Sequence, residues 1–334
     1  MRAVVLVGGL GTRLQPLTLT TPKSLLPVGH HTILEHVLHN LARGGVTDAV
    51  LSLGFKPDGF LSAYPDGVCA GVRLHYAVES EPLDTAGAIR FAAMEAGFTD
   101  DTFLALNGDV LTDLDVAALV SFHRDCRAEG TLHLIEVEDP SAFGVVSTTA
   151  EGRVEAFVEK PPRETAPTNY VNAGTYVLEA SVLERIPEGR RVSIERETFP
   201  AMVADGVLYA LPTNDYWLDA GRPDQLLQAN LDLLDGARRE TVDPIGPGVT
   251  VDPRASVARC VVGAGSQIAT GAAVTRSVLL PGTTIGEDAV VRDSILGRSV
   301  SVGAGARLSD VVIGDGTQIP PGAVLHKVRV PEPR

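Results

Sequence analysis

From residue 245 onward, the aliphatic side chains of this 334-residue chain follow a single spacing rule. They fall at Ile245, Val251 and Val257, then Val262, Ile268 and Val274, then Leu279, Ile285 and Val291. Leu296, Val302 and Leu308 follow, then Ile313, Ile319 and Leu325. The steps run six, six, five, so each triplet returns after seventeen residues. A three-sided coil explains this: one inward aliphatic per side, with glycines and small residues turning the corners. Seventeen rather than eighteen requires one corner tighter by a residue. A second ladder, Val261, Val278, Ile295 and Val312, sits one residue before the first inward position of each coil. Neighbouring strand residues point to opposite faces, so these side chains point outwards. Four stacked aliphatics on an outer face need cover. The expectation is that they pack on the N-terminal domain or on another subunit.

The hexapeptide-like spacing resembles a left-handed parallel β-helix of about five coils. The chain before it has a different rhythm. Ala3-Val4-Val5-Leu6-Val7 is a continuous apolar run, as in a strand buried on both faces. Strand-like segments recur at Asp48–Leu53, 72–77 and 102–106, separated by helical spacing at 85–96 and 115–128. This alternation predicts an α/β fold, a Rossmann-like mixed and mostly parallel sheet with helices on both faces. The domains expected are 1–236, a linker at 237–244, the β-helix at 245–326 and a tail at 327–334.

After the first strand comes Leu6-Val7-Gly8-Gly9-Leu10-Gly11-Thr12-Arg13-Leu14, and then Pro22-Lys23. A glycine loop at the carboxyl end of a parallel strand lies where open α/β sheets bind ligands. Lacking Cβ atoms, Gly8, Gly9 and Gly11 are expected to let backbone N–H groups approach phosphate oxygens. Arg13 and Lys23 add a planar fork and a mobile point charge. A dinucleotide fingerprint is excluded because its third glycine position holds Leu14. A P-loop is excluded because no Gly-Lys-Ser/Thr follows. The loop reads as a cradle for a polyphosphate.

Gly8 to Thr18, with Pro22-Lys23-Ser24-Leu25-Leu26-Pro27-Val28, resembles the signature loop of the sugar-1-phosphate nucleotidylyltransferases. The order of later motifs extends the resemblance over residues 1–235. The resemblance implies transfer of a nucleotidyl group from a nucleoside triphosphate to a sugar 1-phosphate, with Mg²⁺ as cofactor. Nucleotide contacts are then expected from Leu6, Gly8, Gly9, Gly11, Thr12, Arg13, Glu81, Leu83, Thr85, Ala86, Gly87, Asn107 and Gly108. Asp109 and Asp219 are the implied metal ligands. Gly144, Glu159, Lys160 and Asn172 are the implied sugar-phosphate contacts, and Arg13, Lys23, Asp109, Lys160 and Asp219 the implied catalytic set.

Two of these assignments also have a reading from the residues themselves. Asp109 follows the apolar strand Leu104-Ala105-Leu106, where a carboxylate projects into the ligand crevice and is costly to bury without a cation. Guanine offers two adjacent donors, N1–H and its amine, and a carboxylate can accept both; Glu81 is the candidate. Glu79 to Ala88 resembles the family's base-binding segment ending Gly-Thr-Ala-Gly, except that Asp84 stands where many members have glycine. Asp84 also reads as a helix N-cap. Ser193-Ile194-Glu195-Arg196-Glu197-Thr198-Phe199-Pro200, capped by Ser193, resembles the mannose-1-phosphate guanylyltransferase branch. The substrates expected are therefore GTP and mannose 1-phosphate, with a glucose-1-phosphate thymidylyl- or uridylyltransferase as the alternative. Trp217 reads as core packing.

Other classes are disfavoured. A net charge of −14 argues against nucleic acid or an anionic membrane as partner. No apolar run reaches bilayer length and no signal-peptide pattern opens the chain, so the cytoplasm is expected. Cys69, Cys126 and Cys260 are scattered and fit buried thiols in a reducing compartment. A regulatory subunit would lack the charged site residues, which are present. A hexapeptide acyltransferase would need a general base, and the coils hold only His326. The coils are expected to be structural and to support a homo-oligomer.

Overall fold

The computed structural model describes residues 1–54 and 57–333. By compactness these divide into two units, Met1–Gly9 with Glu35–Trp217, and Leu10–Leu34 with Leu218–Arg334. Each unit is made of separated stretches of chain.

The first unit is built on a ten-stranded sheet. Its centre is parallel, with Val72–Val78, Asp48–Leu53, Arg2–Leu6 and Phe103–Asn107 lying side by side. Strands buried on both faces read as unbroken apolar runs, and Ala3, Val4, Val5, Val50 and Leu51 are at most 1% exposed. Antiparallel strands extend the sheet. Tyr170–Leu178 pairs with Phe103–Asn107 and Gly130–Glu136, and Gly144–Thr148 and Val154–Glu159 pair antiparallel. The helices Asp84–Glu95 and Val116–Cys126 fall on the expected segments. A core containing Phe103, Tyr176, Phe199 and Met202 packs with Ala86, Ile89, Ala92 and Ala93 of the first of these helices.

His133 lies inside this sheet. Its Nε2 sits 2.9 Å from the Thr213 hydroxyl, while Nδ1 is buried with no hydrogen-bond partner among the described residues. Burial pushes its pKa down from 6.5 to about 4. The unfolded chain therefore takes up the proton first. This contribution to stability is complete above pH 6.5 and is lost as pH falls towards 4. Chemical denaturation across that window is expected to show a steeper acid loss for wild type than for His133→Gln; equal slopes would contradict it.

In the second unit the seventeen-residue period becomes three five-stranded parallel sheets. Val251 pairs with Ile268, Val257 with Val274 and Val262 with Leu279, each seventeen residues apart. The β-helix core is dry, with Val262, Val274, Leu279, Val291, Leu296 and Ile313 fully buried. Its first rungs are open, Ile245 at 36% and Val251 at 37% exposure, because no coil stacks beneath them. The tight corner follows the second side. Only two residues separate Ser256–Ala258 from Val261–Val262, against four at each other corner. Arg259, Arg276, Asp293, Asp310 and Lys327 turn it with φ between +48° and +55°. At the longer corners, glycine mostly supplies that left-handed turn.

One expectation needs correction. The coils do not stop at His326: Arg329–Val330 pairs in parallel with Val312–Ile313, so part of the expected tail is a further rung. The outer ladder needs no second subunit. Val261, Val278, Ile295 and Val312 are 1%, 2%, 2% and 8% exposed in a single chain. Along that side, Arg329 donates to the carbonyls of Arg13 and Gln15, Arg298 to Thr21, and Thr20 to Asp315. The segment at 10–34 is thus bonded to the β-helix. The helix Pro223–Leu234 is capped by Asp235, and Gly236 follows with φ +73°.

Candidate active site

The glycines of the loop serve different ends. A Cβ on Gly8 would lie 2.9 Å from the Gly54 backbone nitrogen, so the neighbouring loop makes glycine necessary there. Gly11 has φ +61° and meets Thr18 and Lys23. Gly9 alone faces open space. The protein's own close approaches thus require glycine at two of the three positions. Gly108 likewise packs against Val7 and the Leu6 carbonyl.

In the second unit, Arg13, Lys23 and Asp219 converge. A Cβ on Gly221 would meet Asp219 Oδ1 at 2.8 Å, Arg13 Nη2 at 2.9 Å and Lys23 Nζ at 3.2 Å. Lys23 is only 8% exposed, and its ammonium lies 3.6 Å from Asp219 Oδ1, beyond hydrogen-bond distance. That oxygen is buried and accepts no hydrogen bond among the described residues. A buried carboxylate oxygen left in this condition is costly unless a cation or donor arrives. Gly221 was not among the expected site residues. The Trp-x-Asp-x-Gly spacing held the signal, since a side chain there would fill the space where the three charges meet. Arg13 and Thr12 are exposed.

In the first unit, Asp109 is half-buried in the two-residue turn between Phe103–Asn107 and Val110–Thr112. Among the described residues there is no cluster of three or more metal-ligating side chains. Mg²⁺ commonly takes one or two carboxylates and fills its shell with phosphates and water, so the Asp109 carboxylate and the orphaned Asp219 oxygen are each donors of the kind it takes.

The expected sugar-phosphate residues share one side of the sheet. Gly144 pairs with Glu159, and a Cβ on Gly144 would lie 2.7 Å from Phe157 and 3.0 Å from the Glu159 carboxylate. Lys160, at φ +49°, pairs with Glu159 at 3.4 Å. Asn172 is held on both sides of its amide: Nδ2 donates to the Tyr176 hydroxyl at 2.8 Å, and Oδ1 accepts from the Gly174 nitrogen at 3.0 Å. Gly174 itself, at φ +76°, presses on Asn107. Tyr176 is buried, and burial drives its phenol far above the usual range, so it stays protonated.

The expected base-binding segment is anchored from within. Glu79 accepts from Ser52 and from the Leu83 nitrogen, while Glu81 is exposed. The Ala86 and Gly87 nitrogens donate to the Val192 carbonyl, and Gly87 is glycine because the Arg190 carbonyl would lie 2.8 Å from a Cβ. Asp84 is not the N-cap. It is the first helical residue, at φ +61°, a conformation that glycine adopts freely, which accounts for the glycine in the family's form. Its carboxylate accepts from the Thr85 nitrogen and pairs with Arg191. Ser193 does cap its helix, accepting from the Arg196 nitrogen. Trp217 packs edge-on to Phe143 and donates to the Ala173 carbonyl.

Residues 2–236 match the family model described as "Nucleotidyl transferase". The chain belongs to that family. Residues 242–333 of this nucleotidyl transferase match a second model, "GMPPB C-terminal domain". It is 45% identical over 236 residues to the mannose-1-phosphate guanylyltransferase of Mycobacterium tuberculosis, covering 70% of this chain and 65% of that protein. It is 38% identical over 273 residues to the mannose-1-phosphate guanyltransferase of Aspergillus fumigatus, covering 78% and 74%. Among solved structures, a putative glucose-1-phosphate thymidylyltransferase from Bacillus anthracis aligns with a TM-score of 0.64 at 26% identity, covering 73% of this chain and 97% of that one. HddC from Yersinia pseudotuberculosis aligns with a TM-score of 0.59 at 28% identity, covering 69% and 97%. This nucleotidyl transferase is a sugar-1-phosphate nucleotidylyltransferase, in a family that generally works with a divalent metal. Among its described residues no helix is long and apolar enough to cross a membrane.

Proposed function

We propose that this chain makes GDP-mannose and pyrophosphate from GTP and mannose 1-phosphate. The observation that carries the chemistry is the gathering of Arg13, Lys23 and Asp219 around Gly221. The choice of base and sugar is supported by relatives of that activity at 38–45% identity.

An oxygen of the sugar phosphate attacks the α-phosphorus. The bond to the β-phosphate oxygen breaks, and its electron pair leaves with pyrophosphate. The nucleophile is ionised at neutral pH, so the protein need supply no general base; its work is alignment and charge neutralisation. Arg13 holds the leaving pyrophosphate, Lys23 meets charge at the α-phosphate, and Lys160 steers the attacking phosphate. Gly144, Glu159 and Asn172 orient the sugar. Glu81 is the acceptor for the guanine donors. Asp109 and Asp219 would each offer a carboxylate to Mg²⁺, which would supply Lewis-acid neutralisation of the phosphate charge. A homo-oligomer is part of the proposal. So is a reducing, cytoplasmic setting, with burial raising the Cys69 thiol to about 11 and Cys260 in the same direction, away from reactivity.

The test is pyrophosphate release over a grid of GTP, ATP, UTP, CTP and dTTP against mannose, glucose and galactose 1-phosphates. GTP with mannose 1-phosphate is expected to give the highest kcat/KM. Faster turnover with dTTP or UTP and glucose 1-phosphate would replace this reading with the alternative.

A further inference from the structure

The segment Ser193–Pro200 has no part in the roles assigned above, yet one of its carboxylates is held with unusual care. Glu195 Oε2 accepts two hydrogen bonds, from the Thr85 hydroxyl at 2.7 Å and from the Ser193 hydroxyl at 2.9 Å. The Thr85 oxygen in turn accepts from the Ile194 nitrogen at 2.8 Å, which fixes the hydroxyl proton towards Glu195. Oε1 accepts no hydrogen bond among the described residues, and the side chain is half-buried. A carboxylate pinned through one oxygen presents the other in a set direction.

What it faces follows from its neighbours. Thr85 opens the helix Asp84–Glu95, inside the base-binding segment. The Tyr176 hydroxyl, which holds Asn172, lies within the electrostatic reach of both Glu195 and Glu159. Tyr176 packs edge-on against Phe199 at 5.0 Å, and Phe199 against Phe157 at 5.6 Å, beside Gly144. Glu159, Asn172 and Glu195 thus ring one aromatic floor. A sugar 1-phosphate carries several hydroxyls, and two epimers differ in the direction of one O–H. Two fixed carboxylates reading different hydroxyls discriminate them, because the wrong epimer leaves an acceptor buried and unpaired.

The geometry points to Glu195 as a specificity residue whose Oε1 accepts a hydroxyl of the sugar, a second acceptor besides Glu159. This rests on the reading of the chain as a sugar-1-phosphate nucleotidylyltransferase. The simpler role, a latch between Thr85 and the Ser193 turn, makes different predictions.

The experiment compares wild type, Glu195→Gln and Glu195→Ala by calorimetric titration with GDP and GDP-mannose, and by steady-state kinetics. Glu195→Gln preserves the shape if the alanine variant folds poorly. Loss of a charged acceptor is expected to raise KM for the sugar phosphate about tenfold or more. KM for the triphosphate and the affinity for GDP should stay within about twofold, and the advantage of GDP-mannose over GDP should shrink. The preference for mannose over glucose 1-phosphate should narrow. GDP and GDP-mannose weakening together, or neither changing, would leave Glu195 a latch and overturn the inference. If wild type turns over a different pair fastest, the substrate reading fails separately, and Glu195 is judged on KM for that sugar phosphate and on its nucleotide sugar.

Discussion

Lys23→Ala is expected to lower kcat/KM for pyrophosphate release by roughly 10²–10³, about 3–4 kcal/mol of transition-state stabilisation, by analogy with a deleted oxyanion donor. The side chain is almost enclosed, and its ammonium is the cation nearest the orphaned Asp219 oxygen, at 3.6 Å. Charge develops at the phosphates as the reaction proceeds, so a preorganised cation acts more on turnover than on binding. Asp219→Asn and Asp109→Ala are expected to fall comparably, with a raised requirement for added Mg²⁺, because each removes a charge that the metal needs. Circular dichroism melts would show folded protein in each case. A folded Lys23→Ala protein within threefold of wild-type turnover would end the assignment.

Val278→Asp is expected to destabilise the protein by about 3–5 kcal/mol, the range for an unpaired charge placed in an apolar interior. Val278 is 2% exposed and lies in register between Val261 and Ile295, so the new carboxylate meets aliphatic neighbours along the stack. Because the ladder is buried within one chain, the loss should appear in a denaturant melt at any protein concentration. A midpoint near that of wild type would mean that the ladder is reachable by water. Dissociation of an oligomer with an unchanged melt would mean that a partner covers it.

Much of the fold was legible because its signals are periodic. A coil that repeats every seventeen residues writes the same burial demand five times over, and even its tight corner shows as the five-residue step from Val257 to Val262. Strands buried on both faces announce themselves as unbroken aliphatic runs, as at Ala3–Val7. The charged candidates were legible for a different reason: Arg13, Lys23, Asp109, Glu159 and Asp219 stand beside glycines and prolines at fixed spacings. Their neighbours were not. Asp84 read as a cap because aspartate prefers that place, whereas its φ of +61° is a property of the turn.

The sequence alone determined the two architectures, the position of the glycine loop and the charged residue types beside it, since each depends on local pattern. Only the tertiary structure decided which groups meet. Gly8 is glycine because Gly54 comes to it, and Gly87 because the Arg190 carbonyl does. Thr85 is tied to Glu195 across 110 residues of chain, and the outer ladder finds its cover without a second subunit. Such contacts depend on surfaces brought together by folding, and no periodicity along the chain encodes the distance between them.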